Sequence, residues 1–347
     1  MKNNAKKTKK LLPLAVLLAA AALLGILLAV LTRSSTDAAD TTIPLCGFTA
    51  EEIDRLAYSG NNRDVTLLKG STGDWMLDSD PALPLDQAKV TSLVERYAAL
   101  AALRKLEGSD LAELPEKSAA PQMTITIGAG DKTLALTVDQ LNTVADVYYV
   151  YDESGAAYTV MRSDLATLSK SPRDLYKAQT LTDKTLSDVA AMQVNDLQFT
   201  QTDGSWTLTD DPDYPVSQSS IKKMAGTILQ MQTAWTVTAP EADTAYGLDS
   251  PDVTAVLTFT DGTSLTVRFG NAVAAAADGS DGDSLCYLAS DAAPTVVYEV
   301  NADSKLAYAV TKESLYEETA TAETAASDPV AQYPVGGEDD YADSLPE

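Results

Sequence analysis

The chain has 347 residues, no histidine, and 50 acidic residues against 25 basic ones. This length is enough for two domains with hydrophobic cores. The lack of histidine excludes Ser-His-Asp and Cys-His catalysis, histidine general bases and histidine-ligated zinc. Beyond Arg33, 19 basic residues stand against all 50 acidic ones, a net charge of −31. Such a polyanion is repelled by phosphate groups, so we expect no nucleic-acid partner.

An uncharged apolar run at residues 11–31 follows a basic N-terminus. At about 1.5 Å per residue, a helix of that length spans the roughly 30 Å hydrocarbon core of a membrane. Five lysines and no acidic residue precede the run. The positive-inside rule therefore predicts that residues 1–10 are cytoplasmic and that the chain beyond the helix is extracytoplasmic. A cleaved signal peptide, with a weak site at residues 36–38, is the alternative, but the length of the run favours a retained signal anchor in the cell membrane.

The two cysteines, Cys46 and Cys286, lie far apart in the sequence. A disulfide is permitted outside the cytoplasm. Sequence spacing does not show whether two cysteines meet, so a Cys46–Cys286 bridge and a pair of buried free thiols both remain open.

The region beyond the apolar run contains one pattern twice. The segment that begins at Trp75 aligns without a gap with the segment that begins at Trp206, at an offset of 131 residues. In both copies the Trp is followed by Asp-Pro, a second proline, a glutamine and apolar residues spaced as on one face of a helix. Asp86 and Ser217 stand where the helix N-caps are expected. The apolar residues are Val90, Leu93, Val94, Tyr97 and Leu100 in the first copy, and Ile221, Met224, Ala225, Ile228 and Met231 in the second.

The rest of each copy alternates apolar and polar residues as β-strands do. The alternation predicts three hairpins per copy, and Asp261-Gly262 is a strong turn signal for one of them. In the first copy the paired strands are 64–69 with 75–78, 123–127 with 133–138, and 147–152 with 157–161. In the second copy they are 196–200 with 206–209, 254–259 with 264–269, and 285–289 with 296–300. Each copy closes with a short helical turn, at 172–176 and at 312–316.

These elements predict an α+β protein: two tandem copies of an antiparallel meander sheet with one packed amphipathic helix, preceded by one transmembrane helix. The last segment has nine acidic residues and no Lys or Arg, so we expect it to be disordered. The predicted segments are the basic N-terminus 1–10, the transmembrane helix 11–31, a linker 32–47, the first module 48–176, a joint 177–185, the second module 186–316 and an acidic tail 317–347.

The aligned tryptophans and aspartates suggest binding or catalysis, but a structural role is favoured for both. Trp75 and Trp206 could form a platform for ligand stacking, although a shared core also requires an aromatic residue at one fixed place. Asp80 and Asp211 could each supply one carboxylate of a glycosidase pair. Asp-Pro before a helix is more often turn chemistry, and a catalytic acid would not need to occur in both copies.

Three further motifs have the same two interpretations. Ser219 and Lys222 match the S-x-x-K pattern of Ser-Lys acyl transfer, but the accompanying elements are missing, so ordinary polar helix residues are favoured. The acidic stretch 278–283 resembles a calcium loop but fails the EF-hand pattern, which favours a solvated hairpin tip. The stretch AYGLDSP at 245–251 could bind a partner, but Gly247 more simply supplies a tight connection.

The whole pattern resembles the bacterial family called domain of unknown function 4340. The shared features are a Trp-bearing hairpin, a helix with spaced apolar residues, the motif Y-G-L-x-x-P, an antiparallel hairpin and a closing turn. The motif is present here as Tyr246-Gly247-Leu248 with Pro251, whereas the first copy keeps Pro121 and lacks the Tyr-Gly. The resemblance covers residues 48–316. It implies a membrane-anchored exterior protein of unknown activity, of a kind often encoded beside an ABC exporter, and it transfers no catalytic residue.

The sequence therefore predicts a membrane-anchored, extracytoplasmic, non-enzymatic interaction or accessory protein. Its expected partners are the membrane itself and an ABC transporter permease or another membrane protein. We assign no catalytic, cofactor-binding or metal-binding residue, expect no cofactor, and leave the binding residues open. The alternative is a cell-envelope glycan-binding module or a carboxylate-based hydrolase, suggested by the excess of Asp and Glu. Two carboxyl groups roughly 5–10 Å apart in a cleft would favour that alternative.

Overall fold

The computed structural model describes residues 42–60, 63–274 and 284–317. The predicted transmembrane helix, the calcium-like stretch at 278–283 and all but the first residue of the acidic tail lie outside these ranges. Within them, the structure has no helix that combines the length and the apolar character needed to span a membrane.

The first module is an eight-stranded antiparallel sheet with one long helix, and a short two-stranded ladder stands beside it. The strand order in the large sheet is β4-β3-β2-β7-β8-β9-β10-β6, and β1 pairs with β5. The strands are β1 (Ile43–Pro44), β2 (Arg55–Gly60), β3 (Arg63–Lys69), β4 (Trp75–Leu77), β5 (Ala101–Ala102), β6 (Arg104–Leu106), β7 (Met123–Ala129), β8 (Lys132–Asn142), β9 (Val147–Asp152) and β10 (Ala157–Met161). The helices are α1 (Gln87–Ala98), α2 (Ser109–Ala112), α3 (Arg162–Leu168) and α4 (Pro172–Leu175).

The second module repeats this architecture with the strand order β13-β12-β11-β15-β16-β17-β18-β14. Its strands are β11 (Val189–Val194), β12 (Leu197–Thr202), β13 (Ser205–Leu208), β14 (Thr233–Val237), β15 (Val253–Phe259), β16 (Ser264–Ala272), β17 (Leu285–Ser290) and β18 (Val297–Asn301). Its helices are α5 (Gln218–Leu229) and α6 (Asp303–Leu306), with 3₁₀ turns at Leu186–Asp188, Asp243–Ala245 and Glu313–Leu315. The predicted pair of tandem antiparallel sheet domains is therefore present.

The long helix of each module begins and packs as predicted. The Asp86 carboxylate accepts hydrogen bonds from the N–H groups of Ala88 and Lys89, and the Ser217 hydroxyl accepts one from Ser220. All ten spaced apolar residues are buried, so one face of each helix lies against its sheet. The helix also connects the two edges of the sheet, because it follows the edge strand β4 or β13 and precedes the opposite edge strand β6 or β14.

All six predicted hairpins are present. The strands missing from the prediction are the interior pair β2 and β11, the far-edge pair β6 and β14, and the two-residue strands β1 and β5. The central strand β11 reads VAAMQV, in which alanine and glutamine have weak strand preference. The edge strand β6 reads RKL, with two exposed cations and one buried residue. Such short or weakly apolar strands exist because neighbouring strands pair with them, which a local pattern does not reveal.

The segments before each module also take part in its packing. Ile43 and Pro44 pair with β5, and Cys46 lies in the first core. Thr180 forms the matching bridge to Gln232 beside β14. Parts of the predicted linker and joint are thus structural, since a short strand pairs with the first module and an isolated bridge joins the joint to the second.

Candidate functional site

The two aligned tryptophans are buried in the two cores and held by the aligned glutamines. The Gln87 side chain accepts a hydrogen bond from the Trp75 N–H at 2.7 Å and donates to the Trp75 carbonyl at 3.0 Å. Gln218 makes the same two bonds to Trp206, at 2.8 and 2.7 Å. The first residue of each long helix therefore satisfies the backbone of the adjacent edge strand. These contacts give both tryptophans a structural role and leave neither ring as a stacking platform.

The aligned aspartates occupy matching turns but have different partners. Asp80 and Asp211 form backbone bridges to Leu77 and Leu208, which is the turn chemistry expected of them. The Asp211 carboxylate pairs with the Lys312 ammonium at 2.8 Å within the second module. The Asp80 carboxylate instead accepts a hydrogen bond at 2.7 Å from the hydroxyl of Thr238, in the other module. Asp80 thus contributes to a contact between the modules that the sequence did not predict.

Ser219 and Lys222 are both exposed on α5. The Ser219 hydroxyl lies 3.0 Å from the hydroxyl of Ser217, the helix N-cap. A lysine becomes a base when it is desolvated, and an exposed ammonium lacks that environment. The geometry therefore agrees with ordinary polar helix residues at both positions.

The AYGLDSP stretch forms a tight connection beside the strand β16. Gly247 has a φ of +69°, and a Cβ at that position would lie 2.4 Å from the Asn271 side chain. The carbonyl of Tyr246 accepts a hydrogen bond from the Asn271 N–H at 2.8 Å, and Leu248 is fully buried. Only glycine fits this backbone without strain, so the motif has a clear structural explanation.

Both cysteines are buried free thiols. Cys46 lies in the first core and Cys286 in the second. Burial raises the pKa of each thiol above its ordinary value. The neutral thiols therefore act as small apolar residues.

One cavity of about 220 Å³ in the second module is lined by two carboxylates, those of Asp243 and Asp291. The Asp243 carboxylate pairs with the Arg268 guanidinium at 2.9 Å. The Asp291 carboxylate accepts the N–H of Thr266 at 2.8 Å. Within the described residues, no group of three or more Cys, Asp or Glu side chains is arranged to hold a metal ion. The cavity therefore offers two carboxylates that are already engaged in holding β16 and its neighbours.

The most developed polar site is the contact between the two modules. Tyr176, which ends the first module, is only 5% exposed. Its hydroxyl lies 2.6 Å from the Thr233 hydroxyl and 2.7 Å from the Thr236 hydroxyl, both on the edge strand β14. The Trp235 ring lies beside the Tyr176 ring, with centroids 5.3 Å apart, and packs against the first core. An aromatic pair and a chain of hydroxyl hydrogen bonds therefore join the modules.

An ion pair completes this contact. The Arg173 guanidinium binds the Glu299 carboxylate through two bonds of 2.8 and 3.1 Å. It also lies over the Trp235 ring, 4.8 Å from the centroid. The Glu299 side chain is 6% exposed, so the Arg173 guanidinium and its two hydrogen bonds replace the water that this side chain loses on burial. The bidentate geometry fixes the orientation of one module against the other.

A break in the repeat marked this contact in the sequence. At the offset of 131, Trp235 aligns with Arg104, so an apolar residue in one copy meets a cation in the other. When the closing turns 172–176 and 312–316 are matched to each other, Arg173 corresponds to Glu313, so a cation in one copy stands where the other has an anion. Positions that the copies share turn out to be core or turn positions, whereas Trp235 and Arg173, which differ in chemistry from their counterparts, lie where the two modules meet.

Comparison with known protein families, with curated proteins and with solved structures finds no match to this chain. The function must therefore be argued from the residues and contacts described above.

Proposed function

We propose that this chain is a membrane-anchored, extracytoplasmic interaction protein without catalytic activity, and that it serves as an accessory to a membrane complex of the ABC-exporter type. The observation that carries the proposal is the inter-module contact of Arg173, Tyr176, Trp235 and Glu299, which makes two modules one continuous acidic body. A protein that presents a surface to a partner gains from such rigidity, because less ordering is needed on binding.

The distribution of the repeat supports the same conclusion. Residues that agree between the copies, such as Trp75 with Trp206 and Gln87 with Gln218, hold the fold together. Function is then left to the surfaces, where the copies differ. The net charge of −31 beyond Arg33 repels anionic lipid headgroups, so the modules should stand off from the bilayer and face a neighbouring protein. The resemblance to the family of domain of unknown function 4340 supports the choice of an exporter as that neighbour.

The partner proposal is tested by capturing the full-length chain after gentle detergent solubilisation of membranes from cells that express it at its native level. We expect the subunits of one ABC-type permease to co-elute in a fixed ratio. Arg173→Ala, which removes the ion pair between the modules while leaving each core intact, should lower the recovery of the permease. Arg162→Ala is the matched control, since it breaks an ion pair that is more than half exposed at both ends. Recovery of the chain without any membrane partner would contradict the proposal.

The membrane anchor is tested separately. The intact mass of the membrane-bound chain should retain residues 1–31, and an external protease should cut the modules but not the cytoplasmic N-terminus. A mature chain that begins near residue 39 and is released by high salt would instead support the cleaved signal peptide.

A further inference from the structure

The two modules end in the same way but in different surroundings. Tyr176 and Tyr316 both follow a closing turn. Each forms a backbone bridge to a residue just before the long helix of its own module, Tyr176 to Leu85 and Tyr316 to Val216. Tyr176 is 5% exposed because the second module covers it, whereas Tyr316 is 54% exposed. The end of the second module is therefore an uncovered copy of the surface that the first module buries.

The structure also contains an uncovered copy of the opposite surface. Tyr176 contacts the edge strand β14, and the strand at the same place in the first module is β6. Within the part of the chain that the structure describes, β6 pairs with β10 on one side only. The Arg104 and Lys105 side chains on β6 are 62% and 45% exposed, and they pair with the Asp110 and Glu107 carboxylates at 2.9 and 3.2 Å. The neighbouring Leu103 is 42% exposed. Among the described residues 42–60, 63–274 and 284–317, one closing turn and one edge strand are thus left uncovered, one in each module.

The charges on these two free surfaces are the reverse of those in the buried contact. In the buried contact the closing turn supplies the cation Arg173, and the sheet supplies the carboxylate Glu299 opposite Trp235 in the ladder. On the free surfaces the closing turn supplies the carboxylate Glu313, and the sheet supplies Arg104 opposite Thr159.

A closing turn docked on β6 in the same geometry would therefore place the Glu313 carboxylate near the Arg104 guanidinium. The Tyr316 ring would lie beside Lys105, which occupies the place of Thr236. Opposite charges would again face each other across the contact, with the carboxylate on the closing turn and the cation on the edge strand. Charge complementarity of this kind selects a partner and a register.

We propose that two copies of this chain associate end to end, with the closing turn of the second module in one copy docked on β6 of the first module in the other. The contact is heterologous, so a third copy can add by the same surfaces and a row of copies can form. The large negative charge of each copy opposes the encounter at long range. Confinement to a membrane raises the effective concentration and offsets that repulsion.

The test is a charge exchange in the full-length chain, with self-association in detergent measured by sedimentation velocity over a range of protein concentrations. Glu313→Arg places two cations in the contact and Arg104→Glu places two carboxylates in it, so each variant alone should raise the Kd of association about tenfold or more. A mixture of the two variants should associate as the original chain does, since the Arg introduced at 313 meets the Glu introduced at 104. Glu95→Arg, the same charge change at an exposed position of α1, is the matched control and should leave association unchanged.

Three outcomes would overturn the proposal. One is an original chain that stays monomeric at every concentration. Another is association that neither charge variant weakens, which would assign it to the apolar N-terminal run. The third is a pair of variants that both lose association and do not recover on mixing, provided that their circular dichroism matches that of the original chain.

Discussion

The two modules share a topology and fill it with different side chains. In the first core Tyr58 and Tyr97 stack with ring centroids 5.5 Å apart. At the matching positions the second core has Val194 and Ile228, and its aromatic contact is instead between Phe269 and Tyr308, also at 5.5 Å. Both arrangements are buried. The comparison teaches that strand order and hydrophobic pattern decide this fold, while the aromatic residues can be placed in more than one way if the volume is filled.

The aligned tryptophans should show the largest effect on stability. Trp75→Ala and Trp206→Ala should each lower the free energy of unfolding of their own module by about 3–5 kcal/mol, because a large ring leaves a cavity. Hydrogen exchange measured by mass spectrometry can assign the loss to one module or the other. If only one of the two variants loses stability, the two modules do not depend equally on the tryptophan at this position.

The corresponding phenylalanine variants sharpen this comparison. Trp206 Nε1 is buried and has no hydrogen-bond partner among the described residues. Trp206→Phe therefore removes an unsatisfied donor together with part of the ring, and should be milder than Trp75→Phe. The opposite order would indicate that the Trp206 N–H has a water partner.

Alkaline pH should destabilise the two modules to different extents, because the modules differ in their buried tyrosines. Burial raises the pKa of Tyr58 and Tyr97 in the first module and of Tyr308 in the second well above the ordinary value of 10.0. Stability is fully present below pH 10 and is lost as the pH rises, because the unfolded chain releases these protons first. Each pH unit above 10 costs up to about 1.4 kcal/mol per buried tyrosine.

The first module should therefore unfold at a lower pH than the second. Tyrosinate absorbance combined with hydrogen exchange can follow the two modules, and Tyr97→Phe should move the first transition upward. Simultaneous unfolding of both modules in this variant and in the original chain would argue that overall charge repulsion controls the alkaline limit.

Removal of the ion pair between the modules should have a smaller effect on stability. Its main result should be that the two modules no longer unfold together. Arg173→Ala leaves the Glu299 carboxylate buried without its cation, and we expect a loss of about 1–3 kcal/mol since Arg173 itself is half exposed. At neutral pH, where the buried tyrosines do not yet destabilise the first module, one cooperative unfolding transition in urea should divide into two. Arg173→Ala combined with Glu299→Gln should recover part of the loss, because a neutral amide is cheaper to bury. A single unchanged transition would mean that the aromatic contact alone couples the modules.

The helix N-caps should give the smallest difference. Asp86→Ala should cost about 1 kcal/mol in the first module, and Ser217→Ala somewhat less in the second. The Asp86 carboxylate accepts two N–H groups and carries a charge at the helix N-terminus, whereas the Ser217 hydroxyl accepts one bond of 3.4 Å. Thermal unfolding of the two variants checks the order. Equal losses would show that the charge of Asp86 adds nothing here.

The sequence predicted those parts of the fold that have a local cause. The helices follow from the spacing of residues such as Val90 and Ile221, and the hairpins follow from alternation and turn residues such as Asp261-Gly262. The central strand β11 and the edge strand β6 were missed because neighbouring strands, rather than their own residues, define them.

The inter-module contact was missed for a similar reason. Arg173 was assigned to a closing turn, which is correct, but its partner Glu299 lies 126 residues away. No local pattern connects the two. The calcium-like stretch at 278–283 and the transmembrane helix at 11–31 lie outside the described residues, so these remain predictions from the sequence.

The glutamine at the start of each long helix has a consequence for solubility. A sheet edge with unpaired N–H and C=O groups can add a strand from another chain, and such addition leads to aggregation. Gln87 and Gln218 occupy those groups at Trp75 and Trp206, at one edge of each sheet. A single side chain should therefore hinder the addition of a strand to β4 or β13. Loss of either glutamine should therefore appear first as precipitation during refolding rather than as a lower melting temperature.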